Sequence, residues 1–596
     1  MKTSTLFKII LINLALFLFI SCSNDEPEYI SLKNLDMTNN WHTIIDNKAE
    51  GLSNELYVSK NFIPEFRENL SSSKTWATSI DIYRWQKKEI LVGNIDTTDN
   101  YFIILDSIQG NNLLWLNGKL VDKTIAFEPK KIVNITKFLK PNSENFFITR
   151  NENNLKNGAG INSIWITKAK SKTKLLPKPK DVKLTLNHIP PSYHDSLIIY
   201  ETFIRSISPN GTFDGMYYKI PYLKQLGINM VWLMPIHPIG RVNRKGKLGS
   251  PYSVRDYFTT DNNYGTKEQF NVMNNRMKQN NIKLIIDAVV NHTAWDNSLI
   301  NKHSEFYTHN DDGGEIISPL KTEWYDVADL NYENKELRKY IISYFNYWLA
   351  DMKIDGFRCD VSEMVPMDFW NDLRKNFKSN NIRPFMLAEG TKTENLTNGF
   401  DAIYSWDLYN AFQNIHKDPA KSPEIYKVLE AELQKNPKKA EIMHFAENHD
   451  TPRAAKSLGN DDHNLALFFI FTAPGIPMIN CGEELGNTKR LSLFERTTIN
   501  WKIKDRKTYN LVKDLTSLRI SSEKLMKGNI DKINDADFIA GFSRTYNDST
   551  WNIIGNYDSI SHLYKCLPDS IIYSDKNTKI TADGILLSAK GYCIFK

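Results

Sequence analysis

Gly356-Phe357-Arg358-Cys359-Asp360 reads as a short apolar strand that ends in an acid. The same grammar returns at Phe385-Met386-Leu387-Ala388-Glu389-Gly390 and at Phe445-Ala446-Glu447-Asn448-His449-Asp450. Amphipathic stretches such as 335–352 lie between such runs. Strands alternating with helices mark parallel βαβ units. Working outward gives eight strand candidates: 197–203, 230–234, 283–290, 356–360, 384–388, 401–404, 441–446 and 477–480. Eight strands over about 300 residues fit a (β/α)8 TIM barrel, whose site lies at the C-terminal strand ends. The three acids then fall at the ends of candidates four, five and seven.

Length and composition bound the rest. A chain of 596 residues is too long for one core, and 41% hydrophobic with 24% charged residues is a globular composition. The formal charge of +6 is small for this size and spread out, with no basic stripe, so nucleic acid is not an expected partner. The 13 Trp leave room for sugar-stacking platforms, although most Trp belong to cores.

The first 21 residues read as a signal peptide. Lys2 and Lys8 precede an apolar run over 9–20, broken only by Asn13 and too short to span a bilayer. Leu18-Phe19-Ile20-Ser21-Cys22 resembles a bacterial lipobox. That resemblance implies a chain lipidated at Cys22 and anchored at the outer membrane, on the cell surface or its periplasmic face. An ordinary secretory signal with an incidental Cys is the alternative. Of the other four Cys, Cys359 and Cys481 sit in apolar strands as buried thiols, and Cys566 and Cys593 could pair.

Residues 22–40 read as a tether and 41–170 as a β-sandwich, with an Asn117-Gly118 hairpin turn. This region resembles a galactose-binding-like jelly-roll; a packing module without a ligand is the plainer reading. The Lys- and Pro-rich stretch 171–190 is a linker. The barrel takes 191–519, with an inserted loop 293–330, and 520–596 form a small C-terminal β-sandwich.

One Asp at a strand end is ordinarily a helix cap. Three ordered acids, with Arg358 two residues before Asp360 and His449 directly before Asp450, point instead to glycosidic bond cleavage. That reaction needs one carboxylic acid to protonate the leaving oxygen and a second carboxylate to attack or stabilise the sugar cation.

Asp287-Ala288-Val289-Val290-Asn291-His292, Gly356–Asp360, the stretch around Glu389, and Glu447-Asn448-His449-Asp450 together resemble the four signatures of glycoside hydrolase family 13, the α-amylase family. The stretches 227–235, 250–257 and 474–485 match in the same order. The resemblance implies Asp360 as nucleophile, Glu389 as general acid and base, and Asp450 as the acid that stabilises the transition state. It implies sugar contacts from Tyr252, His292, Arg358 and His449. Arg358 shares a strand face with Asp360 and is expected to keep it ionised. Glu389 is expected to have a raised pKa. The chemistry requires no cofactor. Where a family member binds Ca2+, Asn291 and Asp329 match two of its oxygen ligands, few beside the six to eight that calcium wants. Glu363 and Met364 stand where many α-amylases carry Lys-His, so the leaving-group side of the cleft is expected to differ.

The expected activity is retaining hydrolysis of α-glucosidic bonds in starch or maltodextrins. The alternative within the family is an α-glucosidase or transglycosylase on short oligosaccharides. The alternative from another class is a carbohydrate-binding protein without catalysis. Oligomeric state is not fixed by the sequence.

Overall fold

The computed structural model describes residues 185–596 apart from 311–313, 321, 503–505 and 534–536. Before 185 it describes 35–36, 41–46, 66–68, 83–92, 95, 100–109, 111–124, 128–152 and 160–169. The signal, Cys22, most of the tether and most of the linker lie outside the described residues. The chain divides into two compact units, 1–182 and 183–596.

In the first unit a six-stranded antiparallel sheet includes Tyr83–Val92, Ser143–Glu152 and Asn111–Leu116, and a four-stranded one includes Gly160–Ala169 and Asn100–Gln109. Leu114, Leu116 and Phe147 from one sheet join Ile103, Leu105, Ile164 and Ile166 from the other in one buried cluster. The unit is therefore a sandwich whose two inner faces make its core. The hairpin at Asn117-Gly118 forms as read: both residues have positive φ, 52° and 79°, as a two-residue turn between twisted strands requires.

In the second unit eight parallel strands close on themselves. They are β1 (Ile199–Thr202), β2 (Met230–Leu233), β3 (Lys283–Ala288), β4 (Gly356–Cys359), β5 (Phe385–Ala388), β6 (Ala402–Tyr404), β7 (Glu441–His444) and β8 (Ile476–Asn480), with β8 pairing back onto β1. Each expected strand is present, mostly trimmed by a residue or two where the ladder gives way to loop.

Strand parity sorts the side chains. Ile199, Trp232, Ile285, Leu387, Ala402 and Met443 fill the barrel interior. Tyr200, Val231, Ile286, Phe357, Met386 and Ile442 face the surrounding helices. The helix Lys335–Ala350 shows how that outer layer is made. Asn334 caps it by accepting from the N–H of Glu336 and Leu337, and Leu337, Ile341, Phe345 and Trp348 line one buried stripe. Burying each such side chain contributes roughly 1.5–3 kcal/mol. β4 and β5 approach so closely that a Cβ on Gly356 would lie 1.9 Å from the Phe385 carbonyl oxygen, so only glycine fits there.

The excursion after β3 doubles back on itself: His292–Ala294 pairs antiparallel with Val327–Asp329. Beyond the barrel lie antiparallel sheets of five and three strands, within the same compact unit. Two buried arginines, Arg519 on the helix Lys507–Ser521 and Arg544 on the sheet strand Ile539–Tyr546, meet the same end of one barrel helix. Arg519 donates to the carbonyls of Phe471, Ala473 and Gly475, and Arg544 to those of Thr472 and Gly528. They satisfy the open carbonyls at the C-terminal end of the helix Gly459–Thr472. The four described cysteines are free, so Cys566 and Cys593 do not pair. No helix among the described residues is long and apolar enough to cross a membrane.

Candidate active site

Parity carries polar side chains into the barrel at the C-terminal strand ends. Glu201 continues the inward row of Ile199, Asp287 that of Ile285, Arg358 and Asp360 that of Gly356, and Glu389 that of Leu387. Register does the rest: Asp287 on β3 stands directly beside Arg358 on β4.

Arg358, completely buried, is the hub. Its Nη1 donates to Asp287 at 2.8 and 3.0 Å and to Asp360 Oδ1 at 3.0 Å. Nη2 pairs with Glu389 Oε2 at 2.8 Å, and Nε donates to the Tyr404 hydroxyl at 3.1 Å. The guanidinium lies over the Trp232 ring, 5.0 Å from its centroid. One planar, permanently charged fork thus gathers acids from three consecutive strands, which an ammonium could not do.

The Asp360 carboxyl lies well above the usual carboxylate range. Burial is the main cause and the negative charge of Glu389 adds to it, while Arg358 opposes both. The expectation that Arg358 keeps Asp360 ionised is therefore corrected: burial and Glu389 outweigh it. The arginine is shared between Asp360 and Glu389, so its charge is divided between them. Glu389 Oε2 also accepts from the Val361 N–H at 2.7 Å. Val361 has φ 36°, a left-handed conformation that is costly for a β-branched residue. That strain aims a backbone donor at the acid.

Asp450 does not end a strand. It lies six positions past His444, on a turn held by Asn448, whose side chain accepts from the N–H of Asp450 and Thr451. Glu447, the first acid of that signature, turns inward onto Arg453 and the Ala454 N–H. Asp450 meets the hub through His449, whose Nε2 is 3.2 Å from Asp450 Oδ2 and 2.8 Å from the Tyr252 hydroxyl. Burial would raise Asp450, but His449, Arg358 and Arg490 bring it down to about 2. The Tyr252 ring stacks on His449 with centroids 5.6 Å apart, and its hydroxyl donates to Asp287 at 3.2 Å.

The structure thus brings Asp360, Glu389, Asp450, Arg358, His449 and Tyr252 into one network. His292 joins only at its edge. It is bonded to the Tyr252 backbone, tilted against Trp324 at 5.4 Å, and kept neutral by burial, which lowers its pKa to about 4. Three members went unread in the sequence: Glu201, Asp287 and Tyr404. Each is a polar residue at an inward position of an apolar strand, and that parity is the signal that would have found them.

Asn291 and Asp329, the two candidate calcium ligands, lie close in the chain pairing after β3, where the Leu330 N–H donates to the Asn291 carbonyl. Asp329 accepts from the Thr308 hydroxyl at 2.7 Å, and burial raises its carboxyl to about 6. Among the described residues no three acids, histidines or cysteines converge as a metal site. One amide and one partly engaged carboxylate fall short of the six to eight oxygens the ion takes. Glu363 is not open to the cleft either. Its Oε1 accepts from the N–H of Thr391 and Lys392 and from Asn395, tying down the loop behind Glu389.

The catalytic-domain model of the α-amylase family matches residues 189–325 and 319–532, more than half of the chain. The chain belongs to the α-amylase family. This α-amylase family member is 22% identical over 388 residues to the α-amylase MalA of Haloarcula japonica, a match covering 62% of the chain and 56% of that protein. It is 26% identical over 384 residues to a cyclomaltodextrinase of Thermoanaerobacter pseudethanolicus, covering 59% of the chain and 64% of that protein. The chain thus spans less than two thirds of either relative. The solved maltogenic α-amylase AmyB of Thermotoga neapolitana superposes with TM-score 0.58 at 29% identity, over 67% of this chain and 96% of that one.

Proposed function

We propose that the barrel is a retaining α-glucan hydrolase acting on starch or maltodextrins. The observation that carries the reading is the shared guanidinium: Arg358 holds Asp360 and Glu389 side by side, with Asp450 joined to them through His449 and Tyr252. A carboxyl pair with one proton and one charge is the state that double displacement needs. An Asp360 oxygen attacks the anomeric carbon as the glycosidic bond breaks, and the Glu389 proton passes to the leaving oxygen. Glu389, now a carboxylate, takes a proton from water. That water's oxygen displaces Asp360, returning both acids to their starting state with the α configuration retained. Asp450, His449 and Tyr252 hold the sugar ring in this reading.

The product profile on soluble starch tests it. An early spread of intermediate maltodextrins supports internal attack. Asp360→Asn should lower kcat by at least about 10³-fold while sugar binding survives; unchanged turnover would remove Asp360 as nucleophile, and sugar binding without turnover in the unaltered protein would leave a binding protein. A second reading, action on short or cyclic oligosaccharides, draws on the cyclomaltodextrinase relative. It would show as rapid cleavage of cyclodextrin with little action on starch.

The finer readings of the N-terminus are also proposals. The lipobox-like stretch ending at Cys22 supports a lipoprotein facing outward from the outer membrane, where long glucans are met. Cys22→Ala should release the chain from membranes. The sandwich before the barrel is proposed as a galactose-binding-like module; an isolated 41–170 fragment that folds yet retains no starch would reduce it to packing.

A further inference from the structure

No signature claims Glu201, yet it is the charged residue on β1 that enters the barrel. Its side chain is wholly buried. Oε1 lies 2.5 Å from His449 Nδ1, and Oε2 has no hydrogen-bond partner. On the far side of the ring, Nε2 faces Asp450 Oδ2 at 3.2 Å and the Tyr252 hydroxyl at 2.8 Å. Tyr252 covers one face of the imidazole and Trp232 meets it edge-on at 5.8 Å, so the ring has little freedom to turn.

A neutral imidazole has one N–H. Given to Glu201, it would leave the Nε2 lone pair facing the Asp450 carboxylate oxygen, met by a donor only if the Tyr252 hydroxyl turned its one proton away from Asp287. The doubly protonated ring alone has a donor for each side. We propose that Glu201 is a positioning residue that fixes His449 as a two-donor ring, directing Nε2–H toward Asp450 and the sugar bound beside it. This rests on the reading of Asp450 and His449 as sugar contacts.

The surroundings agree. Burial by itself lowers His449, and Glu201 and Asp450 outweigh it, leaving the ring well above its ordinary value. The other charged or titratable groups facing it are Asp287 on β3, which favours the cation, Arg358 on β4 and Arg490 beyond β8, which oppose it, and the Tyr252 hydroxyl. The ring's charge therefore depends on the two carboxylates that touch it.

Two measurements on the full chain test this. Nitrogen shifts of labelled histidine in the unaltered protein should show both His449 nitrogens still protonated at a pH where a free imidazole has lost its second proton; a single protonated nitrogen at or below that pH would overturn the proposal. The isosteric Glu201→Gln keeps an acceptor for Nδ1–H and removes the charge. Its kcat on a malto-oligosaccharide should fall about tenfold more at alkaline than at acid pH, as the ring loses its proton near neutrality. A loss of equal size at every pH would mean packing alone and would also overturn it. A doubly protonated His449 in a chain that cleaves no α-glucan would support the charge assignment and sink the proposed function instead.

Discussion

At the scale of single residues, the site depends on how many partners one arginine serves. Arg358→Lys keeps a positive charge but gives a point donor where a fork is needed. We expect kcat/KM to fall at least about 10²-fold with the circular dichroism spectrum unchanged, because the acids lose their common register. The sequence made Arg358 and Asp360 legible, since a spacing of two puts both on one face of a strand. It did not reveal the upward shift of the Asp360 carboxyl. Its decisive neighbours, Glu389 and Asp287, come from other strands, and burial is a property of the closed barrel. Glu201 was overlooked for a related reason: its partner His449 lies 248 residues away.

Elements show where loops decide function. Glu363 stands where many α-amylases carry lysine, and here it clips the loop behind Glu389. Glu363→Ala removes three accepted hydrogen bonds from a half-buried carboxylate. We expect a loss of about 1–3 kcal/mol, read as a lower Tm, and a reduced kcat as Glu389 gains freedom. Val361 is held at φ 36°, and Val361→Gly should leave thermal stability unchanged or slightly raised, because the relieved strain of about 1–2 kcal/mol offsets the added freedom of the unfolded chain. A marked drop in Tm would show that its side chain matters more than its backbone. The eight strands were legible because apolar runs between amphipathic stretches leave few alternatives. The placement of Asp450 was not. Its turn is set by Asn448 and by Glu447 bending inward to Arg453, a side-chain choice that no strand pattern encodes.

For the whole molecule, buried ionisable groups tie stability to pH. Glu441, at the start of β7, is raised to about 8 by burial, with Arg519 opposing. A carboxyl raised on folding favours the protonated state. Its contribution is fully present below the unfolded value of 4.5 and is lost as pH rises through about 8. Glu441→Gln should therefore lose less Tm than the unaltered protein between about pH 5 and about pH 8; parallel curves would assign that slope to other groups. Buried His237 and His463 act the other way. Burial lowers each to about 4, so their contribution is present above 6.5 and fades as pH falls through that window. The division of the second unit was the least legible feature at this scale. Arg544, on the sheet strand Ile539–Tyr546, donates to the Thr472 carbonyl at the end of one barrel helix, and such a backbone contact leaves no trace in composition. The link from Glu201 on β1 to His449 beyond β7 also carries a meaning for biosynthesis. A ribosome delivers Glu201 early and His449 late, so a nascent chain holds its first anchor long before the ring that needs it. Catalytic competence should then appear only when the last strands have emerged and closed the circle.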